Sequence, residues 1–421
     1  KIIMSATLDY APVYPKQVAK AVVKKISTEV DGMLKESKLD GCKWEEKGES
    51  FQLFEKMDLQ LGKLVGSGGF SNVYEIRGFN GAQPTNWSWT FRKDAARKYY
   101  KENTIDQNGK SKYVVKQLKS SKMQDANKFC TAAADLVMEA HFLSSLNHEN
   151  ILRIRGWAAS GVEAFLDGEH DSYFLILDRL EDTLDKKLER WKKYQTLKTV
   201  SCDLNIDMSR QSINDDSDLL SRIKVSHQIA SALQYLHSKN ILFRDLKPNN
   251  VGFDTYGVVK IFDFGLCREM PEACTNVNDV FKMSGRIGTL RYMAPEVALS
   301  KSYNQKADTY SWCLLFWYCL SLSKPYPNST RSQHLEQVCK YGTRPPMNKE
   351  WPESIRYLLQ KSWAQDTYNR FTMIEVCAYL ERVQEQMKNS ERTEMNLASS
   401  IVPLPTTLIR ETSNTLVPQV A

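Results

Sequence analysis

Two acidic residues, a lysine and an asparagine stand at short fixed offsets within Asn240–Gly265, which reads N-I-L-F-R-D-L-K-P-N-N-V-G-F-D-T-Y-G-V-V-K-I-F-D-F-G. Asp245 is followed by Lys247 and then Asn250, and Asp263 opens Asp263-Phe264-Gly265. Carboxylate and amide oxygens are hard ligands, so Asn250 and Asp263 together suit a hard cation such as Mg²⁺. Asp245 is then left to face a substrate hydroxyl.

Such chemistry needs the two loops held side by side. Val251-Gly252-Phe253 and Val258–Phe262 are short apolar runs around Asp254-Thr255-Tyr256-Gly257, a turn-forming stretch. The pattern predicts a β-hairpin with a polar loop at each outer end. The plainer reading is a hairpin with solvated acids, since D-F-G alone recurs by chance. Both motifs at this separation are far more specific.

R-D-L-K-P-N-N followed by D-F-G resembles the catalytic loop and metal-binding motif of eukaryotic protein kinases. The resemblance implies that Asp245 accepts the hydroxyl proton, Lys247 stabilises charge on a γ-phosphate, and Asn250 and Asp263 hold the metal. Val65-Gly66-Ser67-Gly68-Gly69-Phe70-Ser71-Asn72-Val73 is similar to the family's Gly-rich loop, with Ser71 in place of the third glycine. Backbone N–H groups of such a loop can cradle a polyanion. Alone it reads as an ordinary hairpin turn; its order relative to the other motifs makes it a nucleotide-site expectation.

Tyr113-Val114-Val115-Lys116 resembles the family's V-A-I-K strand, and Glu139, on a helically spaced run over Asp135–Leu146, stands where the family places the partner of that lysine. The resemblance makes Tyr173–Leu177 a strand, Leu177 a bulky gatekeeper, and 178–182 a hinge whose Asp178 and Leu180 backbone groups meet adenine. Phe243 replaces the usual His before Arg244-Asp245; an aromatic there preserves packing against Phe264, in a stack with Leu143 and Ile154. Arg244 implies regulation by phosphorylation of the segment from Asp263 to Glu296, with Thr275 and Ser284 as candidate sites. Thr289 is expected to contact Asp245 and Lys247 instead. Glu296 is expected to pair with Arg370, and Asp308 to anchor a buried helix beneath the catalytic loop. Leu358–Arg370, L-L-Q-K-S-W-A-Q-D-T-Y-N-R, resembles the closing helices of the tyrosine-kinase-like group, with Thr367 in place of the usual Pro.

Composition sets the frame. The chain has 421 residues, 42% hydrophobic and 25% charged, the profile of a globular protein. A net charge of +7 spread along the chain argues for neither nucleic acid nor a membrane. Nine scattered Cys without a C-x-x-C pair fit a reducing, intracellular and cytoplasmic setting. The six His show no metal-ligand spacing. Tyr310–Leu322 is the longest apolar run, too short to cross a bilayer and better read as a buried helix, so no transmembrane segment is expected. No secretory signal is visible, although Lys1 in place of Met is what a fragment would show.

The expected organisation is an N-terminal extension (1–50), a kinase domain (59–384) with N-lobe 59–177, hinge 178–182 and C-lobe 183–384, and a disordered, Ser/Thr/Pro-rich tail (387–421). Two polar insertions, 77–112 and 191–218, read as loops. Pro15–Lys35 is spaced as an amphipathic helix. Its lysines could touch a partner or an acidic membrane surface, but the lack of large apolar anchors favours a helix packed on the domain. The fold expected is α+β and two-lobed, with a small, mostly antiparallel β lobe carrying one main helix and a larger, mainly helical lobe. The expected activity is transfer of the γ-phosphate of ATP, with Mg²⁺ (or Mn²⁺), to Ser or Thr of protein substrates. A pseudokinase scaffold, a tyrosine or dual-specificity kinase and a metabolic phosphotransferase are the alternatives.

Overall fold

The computed structural model describes residues 19–21, 23–28, 45–46, 49–50, 52–80, 98–203, 218–271 and 279–400. An upper sheet of six strands has the order β1-β5-β6-β4-β3-β2. The strands are β1 (Gln52–Phe54), β2 (Leu59–Ser67), β3 (Ser71–Phe79), β4 (Tyr113–Leu118), β5 (Ile154–Ala158) and β6 (Phe174–Asp178). Only β1 against β5 is parallel; the other pairs are antiparallel. Tyr113-Val114-Val115 and Phe174-Leu175-Ile176-Leu177 are unbroken apolar runs because β4 and β6 are central and covered on both faces.

One long helix serves this sheet. It is preceded by a short helical segment, α1 (described at 19–21 and 23–28), and is labelled α2 (Ala126–Ser145). Asp125 caps it, accepting from the N–H groups of Asn127 and Lys128. Its Thr131-Ala132-Ala133-Ala134 turn is small enough for close approach by neighbouring backbone. The turn at Gly265 uses that space: a Cβ on Gly265 would lie 3.0 Å from both the Cβ and the carbonyl oxygen of Asp135.

The second lobe is helical. A small sheet, β9-β8-β7, is built from β7 (Asp182–Thr183), β8 (Val251–Phe253) and β9 (Val259–Ile261). It sits above α3 (Leu184–Asp203), α4 (Leu219–Ser238), α5 (Lys306–Ser321), α6 (Glu353–Ser362) and α7 (Met373–Ser400). The expected hairpin is β8–β9, with Val251 opposite Ile261 and Phe253 opposite Val259. Its turn closes through Asp254, whose Oδ1 accepts from the N–H groups of Tyr256 and Val258 at 2.9 Å each, and through Gly257 at φ +78°. Every residue from Lys306 to Leu320 is buried, so α5 is the helix that the apolar run at 310–322 predicts. Among the described residues no helix is long and apolar enough to cross a membrane.

Several expected boundaries are corrected. Within the 1–50 extension, α1 packs against the domain: Ile26 is fully buried in the hydrophobic core and Ala19 is buried, while Lys20, Lys24 and Lys25 are exposed. The 77–112 loop is structured at both ends. Strand β3 continues to Phe79, and Tyr100 is fully buried, its ring 5.6 Å from Phe54 and 5.3 Å from Tyr113. Its central part, with Trp87 and Trp89, lies outside the described residues. The loop at 191–218 begins as helix: α3 runs on to Asp203, and Leu184, Leu188 and Trp191 form a narrow buried stripe along its first turns. The tail does not start at 387, because α7 runs to Ser400 through Gln384-Glu385-Gln386-Met387-Lys388, all good helix formers.

Candidate active site

Asp245 lies in the loop between α4 and β8 and is 6% exposed. Its Oδ1 accepts from the Thr289 N–H at 2.9 Å and the Thr289 hydroxyl at 3.0 Å. Its Oδ2 accepts from Lys247 Nζ at 2.6 Å and Asn250 Nδ2 at 3.1 Å. Asn250 Nδ2 also donates to the Asp245 carbonyl at 2.9 Å, which turns its amide oxygen away from Asp245. Gly288, at φ +95°, is pressed on this loop so closely that a Cβ would sit 2.4 Å from the Arg244 carbonyl oxygen.

The loop is fixed from below by Asp308 of α5. Its Oδ2 accepts from the Phe243 N–H at 2.8 Å and its Oδ1 from the Arg244 N–H at 2.9 Å, and His237 Nε2 lies 3.0 Å from Oδ2. These bonds hold Arg244 at a left-handed φ of +68°. Such backbone costs an L-residue roughly 1–3 kcal/mol and persists only where the surroundings over-determine it. The Phe243 and Phe264 rings meet edge to face at 5.2 Å, and Leu143 and Ile154 are buried in the same core.

Asp263, at φ +72°, follows β9. Lys116 Nζ reaches it from β4 at 2.8 Å and reaches Glu139 on α2 at 2.6 Å. Burial works against the Lys116 charge, but Asp263 and Glu139 outweigh it and lift the ammonium above the ordinary lysine range. The same ammonium holds the Asp263 carboxyl below the usual range. Burial pushes Glu139 up to about 7, with Lys116 pulling the other way. Among the described residues no donor reaches the second oxygen of Asp263, and its side chain is 44% exposed. That oxygen and the amide oxygen of Asn250 are the chemistry a hard divalent cation needs.

The Gly-rich turn caps the upper sheet between β2 and β3, with Gly66 opposite Val73 and Ser67 opposite Asn72. Gly68 N–H donates to Ser71 O at 2.9 Å, and residues 67–70 are exposed. A Cβ at Gly66 or Gly68 would make only ordinary contacts, and at Gly69 none at all. The protein itself therefore does not demand glycine at these positions. Val65 lies in β2 and is 37% exposed.

At the connection between the lobes, the Asp178 carboxylate is gripped by Arg155 through two hydrogen bonds of 2.6 and 2.9 Å, and its N–H goes to Arg153 O. Only its carbonyl remains for a ligand. Leu180 lies against Gly252. Arg244 extends from the catalytic loop to Leu266 O at 2.7 Å, the exposed Ser284 hydroxyl at 2.9 Å and Tyr303 Oη at 3.2 Å. Thr275 lies outside the described residues. Arg370, 1% exposed, holds Glu296 at 2.6 and 3.2 Å.

The structure thus brings together Asp245, Lys247 and Asn250, and also Lys116, Glu139 and Asp263; the two groups adjoin at the open end of the β8–β9 hairpin, where the Phe262 N–H donates to the Asn250 carbonyl at 3.0 Å. Sequence reasoning passed over Tyr303, His237, Gly252 and Phe262. The signal for Gly252 was present, because an isolated glycine in an apolar strand marks a close approach.

The family model described as protein kinase domain matches residues 102–380, well over half of the chain. The match starts after the Gly-rich turn, which the insertion separates from the rest. Arabidopsis thaliana serine/threonine-protein kinase STY17 is 34% identical over 172 residues, 41% of this chain and 29% of that protein. Serine/threonine-protein kinase STY46 of the same plant is 35% identical over 164 residues, 39% of this chain and 27% of that protein. Serine/threonine/tyrosine-protein kinase HT1, also from Arabidopsis, is 28% identical over 172 residues, 39% of this chain and 41% of that protein. The chain spans less than a third of the length of the first two. With the two-lobed α+β architecture and the matched region together, the chain belongs to the protein kinase family.

Proposed function

We propose that the chain is an ATP-dependent serine/threonine kinase of protein substrates that works with Mg²⁺. The observation that carries this is the Asp245 carboxylate, held by donors from Thr289, Lys247 and Asn250 beside a hairpin that ends at the Lys116–Asp263 pair. Bound Mg·ATP supplies the transferable phosphoryl group and neutralises its developing charge. The residues do the positioning. Asp245 orients a substrate hydroxyl and takes its proton. Lys247, already hydrogen-bonded to Asp245, adds positive charge where the γ-phosphate oxygens gather. Asn250 and Asp263 hold the cation. Lys116 uses its remaining N–H on the α/β-phosphates, and Glu139 keeps it in place. The bare Gly66, Gly68 and Gly69 leave room for a polyanion against the backbone. None of Lys116, Asp245, Asn250 and Asp263 is replaced, which disfavours a scaffold without catalysis.

Activity is regulated through Ser284. Its exposed hydroxyl lies 2.9 Å from the Arg244 guanidinium, so a phosphate there would meet a bidentate cation. A cytoplasmic setting fits the thiols of Cys267, Cys313, Cys319, Cys339 and Cys377, all buried and without a disulfide. The test is Mg²⁺-dependent ³²P transfer from ATP to a generic protein substrate, beside Asp245→Asn. The wild type is expected to label Ser and Thr. The variant is expected to lose roughly 10²–10⁴-fold, the usual contribution of a positioned base. No label from folded, ATP-binding wild type would favour the scaffold reading, and label on Tyr would favour dual specificity.

A further inference from the structure

Residues 178–182 join the lobes, and each end is tied to one of them. Asp178 ends β6 opposite Tyr113 of β4. The Glu181 N–H donates to the Phe253 carbonyl at 2.9 Å, and Asp182 and Thr183 pair with β8. Arg179 and Leu180 are therefore the span that turns when the lobes part, since hinge motion is absorbed by a few residues at element ends.

The last part of the β3–β4 connection lies on that span. A helical turn at 98–102 places Tyr100 in the core. The chain then returns on itself, with the Lys112 N–H donating to the Thr104 carbonyl at 2.7 Å and the buried Ser111 hydroxyl donating to the Ile76 carbonyl of β3. Between them Asp106–Lys110 closes as a tight turn. Asp106 Oδ1 accepts from the N–H groups of Asn108 and Lys110 at 2.8 Å each, the Asp106 N–H donates to the Lys110 carbonyl at 2.8 Å, and Gly109 takes φ +73°. Two groups of this arm reach the span. The Lys112 carbonyl accepts from the Arg179 N–H at 2.8 Å, and Lys110 Nζ lies 2.6 Å from Glu181 Oε2. The Arg179 guanidinium is mostly buried, 3.7 Å from both Glu75 of β3 and Glu181.

Glu181 is anchored on the helical lobe and Lys110 on the upper sheet, so their ion pair crosses the join. Parting the lobes has to stretch or break it. We propose that the 98–112 arm is a strap across the connection between the lobes, that Lys110 is its positioning residue, and that it slows the release of nucleotide from the cleft. The proposal rests on the ATP-dependent reading above. In that reading Lys116 from the upper sheet and Asn250 and Asp263 from the helical lobe hold one nucleotide and its metal, so release needs the lobes apart. Opening motions of this kind, rather than chemistry, set turnover in many enzymes. The pair is half-exposed, so salt weakens the strap. Charge alone does not deliver Lys110 to Glu181; the Asp106 turn does, which gives the strap a second, independent handle.

The test is the rate of Mg·ADP dissociation by stopped flow, with a fluorescent ADP displaced by excess ATP. It is run on the full chain as wild type, Lys110→Met and Asp106→Ala, with unfolding temperature followed for each. Lys110→Met keeps length and removes the charge. Asp106→Ala loosens the turn and leaves the cation, and either variant carries the test if the other does not fold. Each is expected to speed release by roughly two- to fivefold, the range of a partly exposed ion pair, and to leave single-turnover transfer from preloaded Mg·ATP unchanged. Rising salt is expected to speed release from wild type and to have little effect on Lys110→Met. Hydrogen exchange of the nucleotide-free chain is expected to quicken at the Arg179 amide in both variants. Unchanged or slower release from folded Lys110→Met would overturn the proposal. An equal fall in single-turnover transfer would overturn it too, because the arm would then act on catalytic geometry. Wild type that binds ADP, releases it faster in both variants and transfers no phosphate would refute the kinase reading and leave the strap standing. Wild type that binds no ADP overturns both.

Discussion

Asp245 has four donors around one carboxylate, and two of them come from a single residue 44 positions away, Thr289. The backbone donor at Thr289 depends on Gly288, whose φ of +95° and contact with the Arg244 carbonyl leave no room for a Cβ. The hydroxyl donor can be removed alone. A hydrogen bond to a charged group contributes about 1.5–3 kcal/mol. Thr289→Val should therefore lower kcat by roughly 10- to 100-fold and leave nucleotide affinity unchanged, as measured by steady-state kinetics beside equilibrium ATP binding. These candidate roles could be proposed from sequence because residue type and offset report chemistry directly: Asp245, Lys247 and Asn250 each carry a polar atom that a short loop must direct to one place. Phe262 was not legible in that way. Its place beside Leu180 depends on the absence of a side chain at Gly252, and no local pattern encodes a neighbourhood of three such separated positions. Tyr303, which supports Arg244, is hidden for the same reason.

Elements were read well where periodicity was uninterrupted. The β8–β9 hairpin, α4 and the almost wholly buried α5 follow from their patterns. Elements were missed where the buried stripe is narrow, as in α3, where Leu184, Leu188 and Trp191 are the inward positions of a helix otherwise lysine-rich. They were also missed where tertiary contact decides, as at Tyr100, whose place among Phe54, Phe79 and Tyr113 no sequence window shows. One contact between elements joins both catalytic loops without any polar atom: the Phe243 ring on Phe264. Both rings are fully buried, and truncating a buried Phe costs about 3–5 kcal/mol. Phe243→Ala should lower stability by that order in urea unfolding and reduce kcat beyond the effect of stability alone, whereas Phe243→His should retain most activity. Full activity in folded Phe243→Ala would show that the stack carries no catalytic geometry.

At the scale of the whole molecule, one buried ion pair joins distant parts of the helical lobe. Arg370 is 1% exposed and holds Glu296, the carbonyls of Ala364 and Lys306, and the face of Tyr310. Removing one partner of a buried pair leaves an uncompensated charge and costs about 3–5 kcal/mol. Arg370→Met keeps volume and removes the charge. It should destabilise by that amount, while Arg370→Met with Glu296→Gln should recover part of the loss, read as a double-mutant cycle in chemical denaturation. The two-lobed plan was legible from motif order. The reach of the fold toward the N-terminus was not, because α1 and β1 match no motif and are recruited only by the surfaces they cover.

The burial of Ile26 and Phe54 has a practical consequence for handling the protein. The region that matches the family model begins at residue 102, inside the connection between β3 and β4. A recombinant fragment cut to that region would lose β1, β2 and β3, and with them the neighbours of β4 and β5. Two hydrophobic strand edges would face solvent, which is the usual route to inclusion bodies. Expression should begin upstream of residue 19, so that the helix covering the core is synthesised with it.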